Sequence, residues 1–525
     1  MGPFVPCIHF VELCRALVNH QHRPLDPAFK QRVRHDDRNF DNAIDFGLQT
    51  GHLAVEPNQI HFGFCKGGSI ISHVRIVADG LNSQAMTELL NLAPLSSASL
   101  STTLVFAAAL CCSLLLKVWL SSRQIRHVAG HRNTVPPVFA SKIDLPSHQR
   151  AADYTITKTR FGLIEIAWGA AIALGWTLMG GLSLLNQTLL GALGHGLAQQ
   201  VALVGAFVVI NGLLELPFTL YQTFVIEERF GFNKTSPQLW LQDLFKSTVL
   251  SALIGLPFIA LVVWMMGAMG TWWWLWVWGT WMGFNLLALL IYPTWIAPWF
   301  NKFQPLQDPQ IQERVSQLMA RCGFTSKGFY VMDGSKRSAH ANAYFTGFGA
   351  SKRVVFYDTL LAQLDPAEVD AVLAHELGHF KHRHVLKRIV SLFALSLAGF
   401  FALGWLSQQT WFFTGLGVAP NLTGSNDALA LLLFMLVLPL AGTLLGPLMA
   451  QLSRRHEFEA DAYAVLQTSG AALSSALLKL FQDNASTLTP DPVYVQFYYS
   501  HPPAMERLAR LATPSSALNT TATPE

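Results

Sequence analysis

Seven stretches of this chain are apolar over roughly the 20 residues that a helix needs to cross a hydrocarbon core. They run from Ser101 to Leu120, Phe161 to Leu185, Leu197 to Tyr221, Ser247 to Met269, Trp272 to Ile291, Ile389 to Leu406 and Ala428 to Leu452. Only Gly270-Thr271 separates the fourth from the fifth, so these two form a tight helical hairpin, with Trp272, Trp273, Trp274, Trp276 and Trp278 placed at a membrane interface. The pattern changes between the fifth and sixth stretches, over residues 292–388. There Ile311 to Arg321 reads as an amphipathic helix and Gly328 to Met332 as a short strand. Arg353 to Tyr357 reads as a second strand, preceded by a hairpin-like turn at Gly347-Phe348-Gly349. Asp365-Pro366-Ala367-Glu368 combines an N-cap, a proline at the first helical position and the glutamate of a capping box. The helix it opens is expected to run straight toward the sixth span. Beyond the seventh span the chain stays helical through Ser453 to Tyr463, a further helix lies around Ala471 to Gln482, and residues 513–525 read as a disordered tail. No internal repeat is visible.

Composition turns these stretches into a class. Of 525 residues 51% are hydrophobic and only 13% charged, the balance of a membrane protein rather than of several soluble domains. A net charge of +4 gives no footprint for nucleic acid, but its distribution gives an orientation. Arg123, Arg126, Arg132, Lys142, Lys158, Arg160, Arg229, Lys234, the 292–388 segment and Arg454-Arg455 follow the odd-numbered spans, whereas residues 186–196, 270–271 and 407–427 hold no lysine or arginine. The odd-numbered spans therefore end in the cytoplasm, and so does the 292–388 segment. The six cysteines make no disulfide framework, and none is assigned to a metal. Residues 1–85 are polar and basic yet fall on the opposite side. They read as a translocated extension or, preferably, as the product of a start placed too early, with Met86 the candidate initiator; they do not resemble a signal peptide.

The chemistry is carried by His375-Glu376-Leu377-Gly378-His379. Positions four apart share a helix face, so His375 and His379 can offer ring nitrogens to one ion while Glu376 stands beside it as a base. Three protein ligands and a water make a catalytic zinc site, in which the water's pKa falls to about 7. A third ligand is offered by the helix leaving the seventh span, where Glu457 and Asp461 share a face and Glu459 points roughly the opposite way. The bland alternative, an acidic helix face below Arg454 and Arg455, weighs evenly with the ligand reading on these residues alone.

Four blocks raise that balance: DGSKRSAHANAYFTGFG from Asp333, LAHELGHFKHRH from Leu373, SRRHEFEADAYA from Ser453 and SHPPAMERL from Ser500. With weaker similarity at Glu227 (EERFGFN) and Ile296 (IAPWFNKF), residues 95–512 resemble the CAAX prenyl protease 1 family of seven-span integral-membrane zinc metalloproteases. The resemblance implies zinc, one ion per chain, on His375, His379 and Glu457. It also implies Glu376 as general base, Asp461 orienting a ligand histidine, and Asn342, Ala343 and Tyr344 receiving the substrate backbone. His501 and Arg507 would approach the reacting carbonyl; the rival reading of His501 is a helix cap before Pro502. His382 and His384 read as part of a solvated basic stretch with Lys381 and Arg383 near lipid head groups, although His382 shares the HELGH face. Glu165, Asn211, Glu215 and Asn285 lie within spans and should face an interior, which the family's water-filled chamber would offer and helix-to-helix hydrogen bonds would explain equally well.

The expected fold is mainly α. It is a polytopic seven-helix transmembrane bundle with a cytoplasmic gluzincin-type protease domain containing a small β-hairpin or sheet. The expected units are residues 1–85, spans 1–5 in 86–291, catalytic residues 292–388, spans 6 and 7 in 389–452, the third-ligand segment 453–512 and the tail 513–525. The expected activity is hydrolysis of peptide bonds near the cytoplasmic face, with a peptide or protein substrate that is prenylated or membrane-inserted, and with the bilayer but no obligate protein as partner. Only 14 residues separate Leu360 from His375, and the tight loops favour a bacterial plasma membrane over the endoplasmic reticulum. The rivals are an HtpX-type quality-control protease, which has fewer spans, and a pseudoprotease or helix-bundle channel, against which the intact Glu376 speaks.

Overall fold

A computed structural model describes residues 96–324, 328–346 and 353–512. The extension with its Met86, the Gly347-Phe348-Gly349 turn and the 513–525 tail lie outside them.

Long apolar helices dominate. They are α1 (Ser97–His131), α2 (Leu145–Trp176), α3 (Gly181–Leu193), α4 (Leu197–Tyr221, continued by a wide turn Gln222–Glu227), α5 (Pro237–Ala268) and α6 (Trp273–Ile291). Serine or aspartate starts three of them: Ser96, Asp144 and Ser236 accept hydrogen bonds from the third residue after them, and Pro237 is the first residue of its helix. In the described residues six helices are long and apolar enough to cross a membrane, and the bent pair α2 and α3 makes a seventh. Protein buries only 6–28% of the most apolar window in each of the six, so most of that apolar surface needs lipid against it.

The second span differs from its expectation. Phe161 to Leu185 is not one helix; the chain bends by 49° between Trp176 and Gly181. Thr177 Oγ bonds back to the Ala173 carbonyl, and Gly180 takes a left-handed conformation (φ 81°) that turns the chain into α3. The tryptophan belt is corrected as well. Trp272 and Trp276 are exposed, but Trp273 is buried in the bundle core and Trp278 donates to Phe393 O and Ser396 Oγ of the sixth span. Of the polar span residues, Asn211 accepts from Trp176 Nε1 of α2, while Asn285 donates only to Trp281 O on its own helix. Glu165 is half-buried and Glu215 exposed.

The segment after α6 folds into a small mixed unit. Its strands are β1 (Phe303–Pro305), β2 (Phe329–Met332), β3 (Ala343–Thr346) and β4 (Arg353–Tyr357), in the order β1-β2-β4-β3. The β2–β4 pair is parallel and the other two antiparallel, so β3 is an edge strand. Strand β1 had no sequence signal, since three residues are too few to show a period. The helices α7 (Pro309–Arg321), α8 (Asp358–Gln363) and α9 (Pro366–Lys381) cover the sheet, and Val315, Leu318, Phe356, Leu373 and Leu377 fill one core with it.

Two further long helices carry the sixth and seventh spans: α10 (His384–Leu406) and α12 (Asp427–Gln467), with short α11 (Thr410–Gly415) between them. Helix α9 does not run straight into the sixth span. Arg383 adopts a left-handed conformation (φ 56°), its N–H turns back to the Phe380 carbonyl, and α10 starts afresh at His384. By contrast α12 continues unbroken from the seventh span through Tyr463. Helices α13 (Gly470–Asp483), α14 (Pro492–Tyr498) and α15 (Ala504–Leu511) complete the chain; Ala504 and Leu508 pack with Phe139, which lies between α1 and α2.

Candidate metal centre

The HELGH helix is positioned before its histidines are reached. In its first turn Asp365 and Glu368 form the reciprocal capping box, and Lys479 of α13 bridges both carboxylates at 2.9 and 2.7 Å. Val369, Leu373 and Leu377 bury one face of α9 in the sheet core. The other face lies against α12 at a point where Gly378 leaves no room. A Cβ there would stand 2.9 Å from Ala460 Cα and 3.1 Å from Ala460 O, both backbone atoms. The two helices therefore touch main chain to main chain, and the side chains flanking that contact converge.

Those side chains are His375, His379 and Glu457. The Nε2 atoms of the two histidines lie 3.2 Å apart, and each is 3.4 Å from one oxygen of Glu457, His375 from Oε2 and His379 from Oε1. Ligands about 2.0 Å from a tetrahedral ion sit roughly 3.3 Å from one another, so the three groups fit a single ion of zinc's size. In the described residues this is the one such group of histidine, cysteine and carboxylate side chains. Glu457 is buried, and its Oε2 has no hydrogen-bond partner, a cost that a metal ligand is relieved of when the ion binds.

Around the triad stand the groups that orient it. Asp461, one turn along α12 from Glu457, takes His375 Nδ1 at 2.8 Å, which leaves His375 Nε2 to face the centre. Arg507 of α15 is buried and spans the Asp461 carboxylate with Nε, at 2.8 Å, and Nη2; its Nη1 lies 3.9 Å from Glu457 Oε2. Its guanidinium is thus committed to holding a carboxylate. His501 is exposed, with Nε2 3.4 Å from Glu457 Oε1 and Nδ1 3.0 Å from Ser500 Oγ, and makes no cap for α15. Glu376 is half-buried with no hydrogen bond or ion pair in the described residues. Burial pushes its carboxyl above the usual carboxylate range, a shift that Glu457 reinforces and that His375 and Arg507 oppose.

Asn342, Ala343 and Tyr344 form a separate group. Ala343 and Tyr344 lie on edge strand β3, which packs beside α9, and among the described residues none of the three is hydrogen-bonded or ion-paired to the triad. Asn342 is exposed; its side chain accepts from Ala343 N–H and its carbonyl from Tyr357 N–H. His382 is exposed and outside ligand distance. His384 overturns its expectation: far from solvated, it is buried, with Nδ1 3.0 Å from His379 Nδ1 and Nε2 2.8 Å from Glu459 Oε2. Glu459 likewise has a partner that helix geometry on α12 alone does not reveal. Sequence reasoning missed this pair because it assumed an unbroken helix through residue 383, where nothing in the sequence marks a turn. Arg454 was also missed. Its Nη1 donates to the carbonyls of Val495 and Tyr499, which fixes the chain leading to His501.

Comparison with known proteins bears on both halves of the molecule. Residues 124–302 match a family described as CAAX prenyl protease N-terminal, five membrane helices, and residues 305–515 match Peptidase family M48. A CAAX prenyl protease 1 homolog of Oryza sativa subsp. japonica is 32% identical over 414 residues, which cover 77% of this chain and 96% of that protein. CAAX prenyl protease 1 of Saccharomyces cerevisiae is 33% identical over 419 residues, 75% of this chain and 91% of that protein. The crystal structure of S. mikatae Ste24p superposes with a TM-score of 0.74 at 29% identity, covering 78% of this chain and 99% of that one.

Two outcomes are expected of this geometry. Gly378→Ala should destabilise the protein by about 1–3 kcal/mol, because backbone atoms cannot yield to the added methyl, and should also weaken metal binding by parting His379 from Glu457. Thermal unfolding with and without metal reads both. The second concerns pH. Without metal, burial disfavours the charged form of His375, but Asp461 and Glu457 outweigh it and its pKa is pushed up to about 9, whereas burial and then His375 press His379 down to about 4. His375 is therefore protonated at pH 7 and must release that proton to a metal. Calorimetry in buffers of different ionisation enthalpy should count about one proton released per ion, with affinity rising about tenfold per pH unit up to pH 9.

Proposed function

The chain belongs to the CAAX prenyl protease 1 family and is a membrane-embedded M48 metallopeptidase, and from that premise we propose that it cleaves prenylated C-terminal CAAX peptides at the cytoplasmic membrane face, with zinc on His375, His379 and Glu457. One observation supports the metal assignment: two histidine Nε2 atoms stand 3.2 Å apart and each lies 3.4 Å from one oxygen of a buried glutamate, one of those oxygens without a hydrogen-bond partner. Zinc in that place supplies a Lewis acid that polarises the scissile carbonyl and acidifies water.

The chain's own residues supply the rest. Glu376, adjacent to a ligand and unpaired, accepts the proton of the attacking water at its carboxylate and returns it to the leaving amine. A carboxyl raised by burial suits both directions of that transfer. His501 offers Nε2 beside Glu457 from the exposed side, a position from which an N–H can meet charge developing on the carbonyl oxygen. Arg507 acts at one remove, holding the Asp461 that orients His375. Asn342, Ala343 and Tyr344 receive an extended peptide along the free edge of β3, which pairs with β4 on its other side alone.

The cytoplasmic orientation rests on the basic residues that follow the odd-numbered spans. A prenylated substrate is favoured because the named relatives are CAAX prenyl proteases and residues 124–302 match the family of five N-terminal membrane helices.

Purified protein should cleave a farnesylated CAAX peptide and lose that activity to a zinc chelator. Turnover of an unfolded membrane protein but not of the peptide would sink the substrate assignment. Glu376→Gln should lower turnover by about 10²- to 10⁴-fold while keeping bound zinc, as measured by metal analysis; full activity in that variant would exclude Glu376 as the base. Cysteines placed at Gly191 and at Lys381 should differ in spheroplasts or sealed cells, an impermeant maleimide reaching only the first. Labelling of Lys381→Cys from outside would invert the topology.

A further inference from the structure

His384 stands between a proposed metal ligand and a carboxylate, and its two nitrogens settle which proton goes where. Ionised Glu459 only accepts, so the 2.8 Å contact from His384 Nε2 is an N–H donated to Glu459 Oε2. Neutral His384 then has an unprotonated Nδ1, and the 3.0 Å contact between the two rings is donated by His379 Nδ1. His379 Nε2 is left with its lone pair, and this is the atom that faces His375 Nε2 and Glu457 Oε1. We propose that Glu459 and His384 form a positioning relay that fixes the tautomer and ring orientation of His379 for zinc, as Asp461 does directly for His375. The proposal rests on the reading that His375, His379 and Glu457 hold zinc.

The relay exists only because the HELGH helix breaks. On a continuous helix, at about 100° per residue, His384 would lie roughly 140° around from His379 and could not meet it. The left-handed turn at Arg383 brings it back. Its ring is then held by stacking on His456, centroids 4.0 Å apart and planes within 13°. His456 and Glu459 are three residues apart on α12, so one helix face supplies both the stack and the acceptor. The single helix α12 thus carries Glu457 for the metal, Asp461 for one histidine and Glu459 for the other. Ligand histidines whose second nitrogen is held by such a partner keep one nitrogen aimed at the metal, and removing the partner costs about 10- to 100-fold in metal affinity.

The test uses the full chain in detergent, with zinc affinity read by competition against a chromophoric chelator and with the absorption spectrum of the cobalt-substituted protein as a second readout. Glu459→Ala and His384→Phe should each weaken zinc by about 10- to 100-fold. The double variant should be no weaker than His384→Phe alone, because Glu459 acts through His384. Glu459→Gln, whose amide oxygen still accepts from His384, should stay within a few-fold of wild type. The cobalt spectrum of His384→Phe should shift, since His379 is then free to turn. Wild-type affinity in both Glu459→Ala and His384→Phe would overturn the relay, and so would additive losses in the double variant. Glu459 is half exposed, so its variants carry the test even if His384→Phe fails to fold. The underlying ligand set fails separately, if the wild-type protein binds no zinc or if His379→Ala binds it at wild-type affinity.

Discussion

The whole site depends on one close approach of two backbones. Helix α9 meets α12 where Gly378 faces Ala460, and no side chain larger than hydrogen fits between them. Two helices held that close bring residues within one turn of the contact to ligand distance of each other. His375, His379 and Glu457 converge for that reason. The interface is as rigid as its surroundings, since the α9 face opposite Gly378 is buried in the sheet core and Tyr463 and Ala464 of α12 belong to the same core.

Around that contact buried charge is concentrated on α12. Glu457 and Asp461 are both buried, a costly arrangement unless each is satisfied. Asp461 is satisfied twice over, by His375 and by the Arg507 guanidinium, whereas Glu457 Oε2 is left unsatisfied. The difference is the one expected between a carboxylate that orients a ligand and one that binds a metal. Arg507 reaches the centre from α15, far along the chain, and is delivered there by Ala504 and Leu508 packing with Phe139 from the connection between the first two helices. Burial of the acidic pair therefore draws on segments from both the beginning and the end of the described chain.

The membrane sets the remaining constraint. Most of the apolar surface of the spans is not covered by protein, so the helices gain their environment from lipid and their order from specific contacts. Trp278 donating into the sixth span and Trp176 to Asn211 are bonds of this kind. The break between α2 and α3 and the break between α9 and α10 share a feature: a left-handed residue lets a helical path turn, and each turn is supported by contacts far away in sequence.

The sequence by itself determined the apolar spans, the capping box that begins α9, strands β2 and β4, the HELGH pair and the Glu457–Asp461 face. Each of these is a local periodicity, or a short signature whose physics acts within one helical turn or along one strand. It named the fold class and the family, and four separated blocks pointed to Glu457 as the proposed third ligand more firmly than spacing did. It failed where the chain leaves its period. Helix propensity through residues 380–384 gives no warning that Arg383 turns left-handed, so His384 was placed in solvent although it is buried against His379. Glu459 was assigned the opposite face of α12 correctly, but which group occupies that side depends on where α10 starts. Trp273 and Arg507 likewise owe their surroundings to other elements of the fold, Trp273 to the bundle core and Arg507 to Asp461 on α12, 46 residues back. Tertiary packing alone decided those positions, because a local pattern records which face a side chain takes and not which distant segment arrives to meet it.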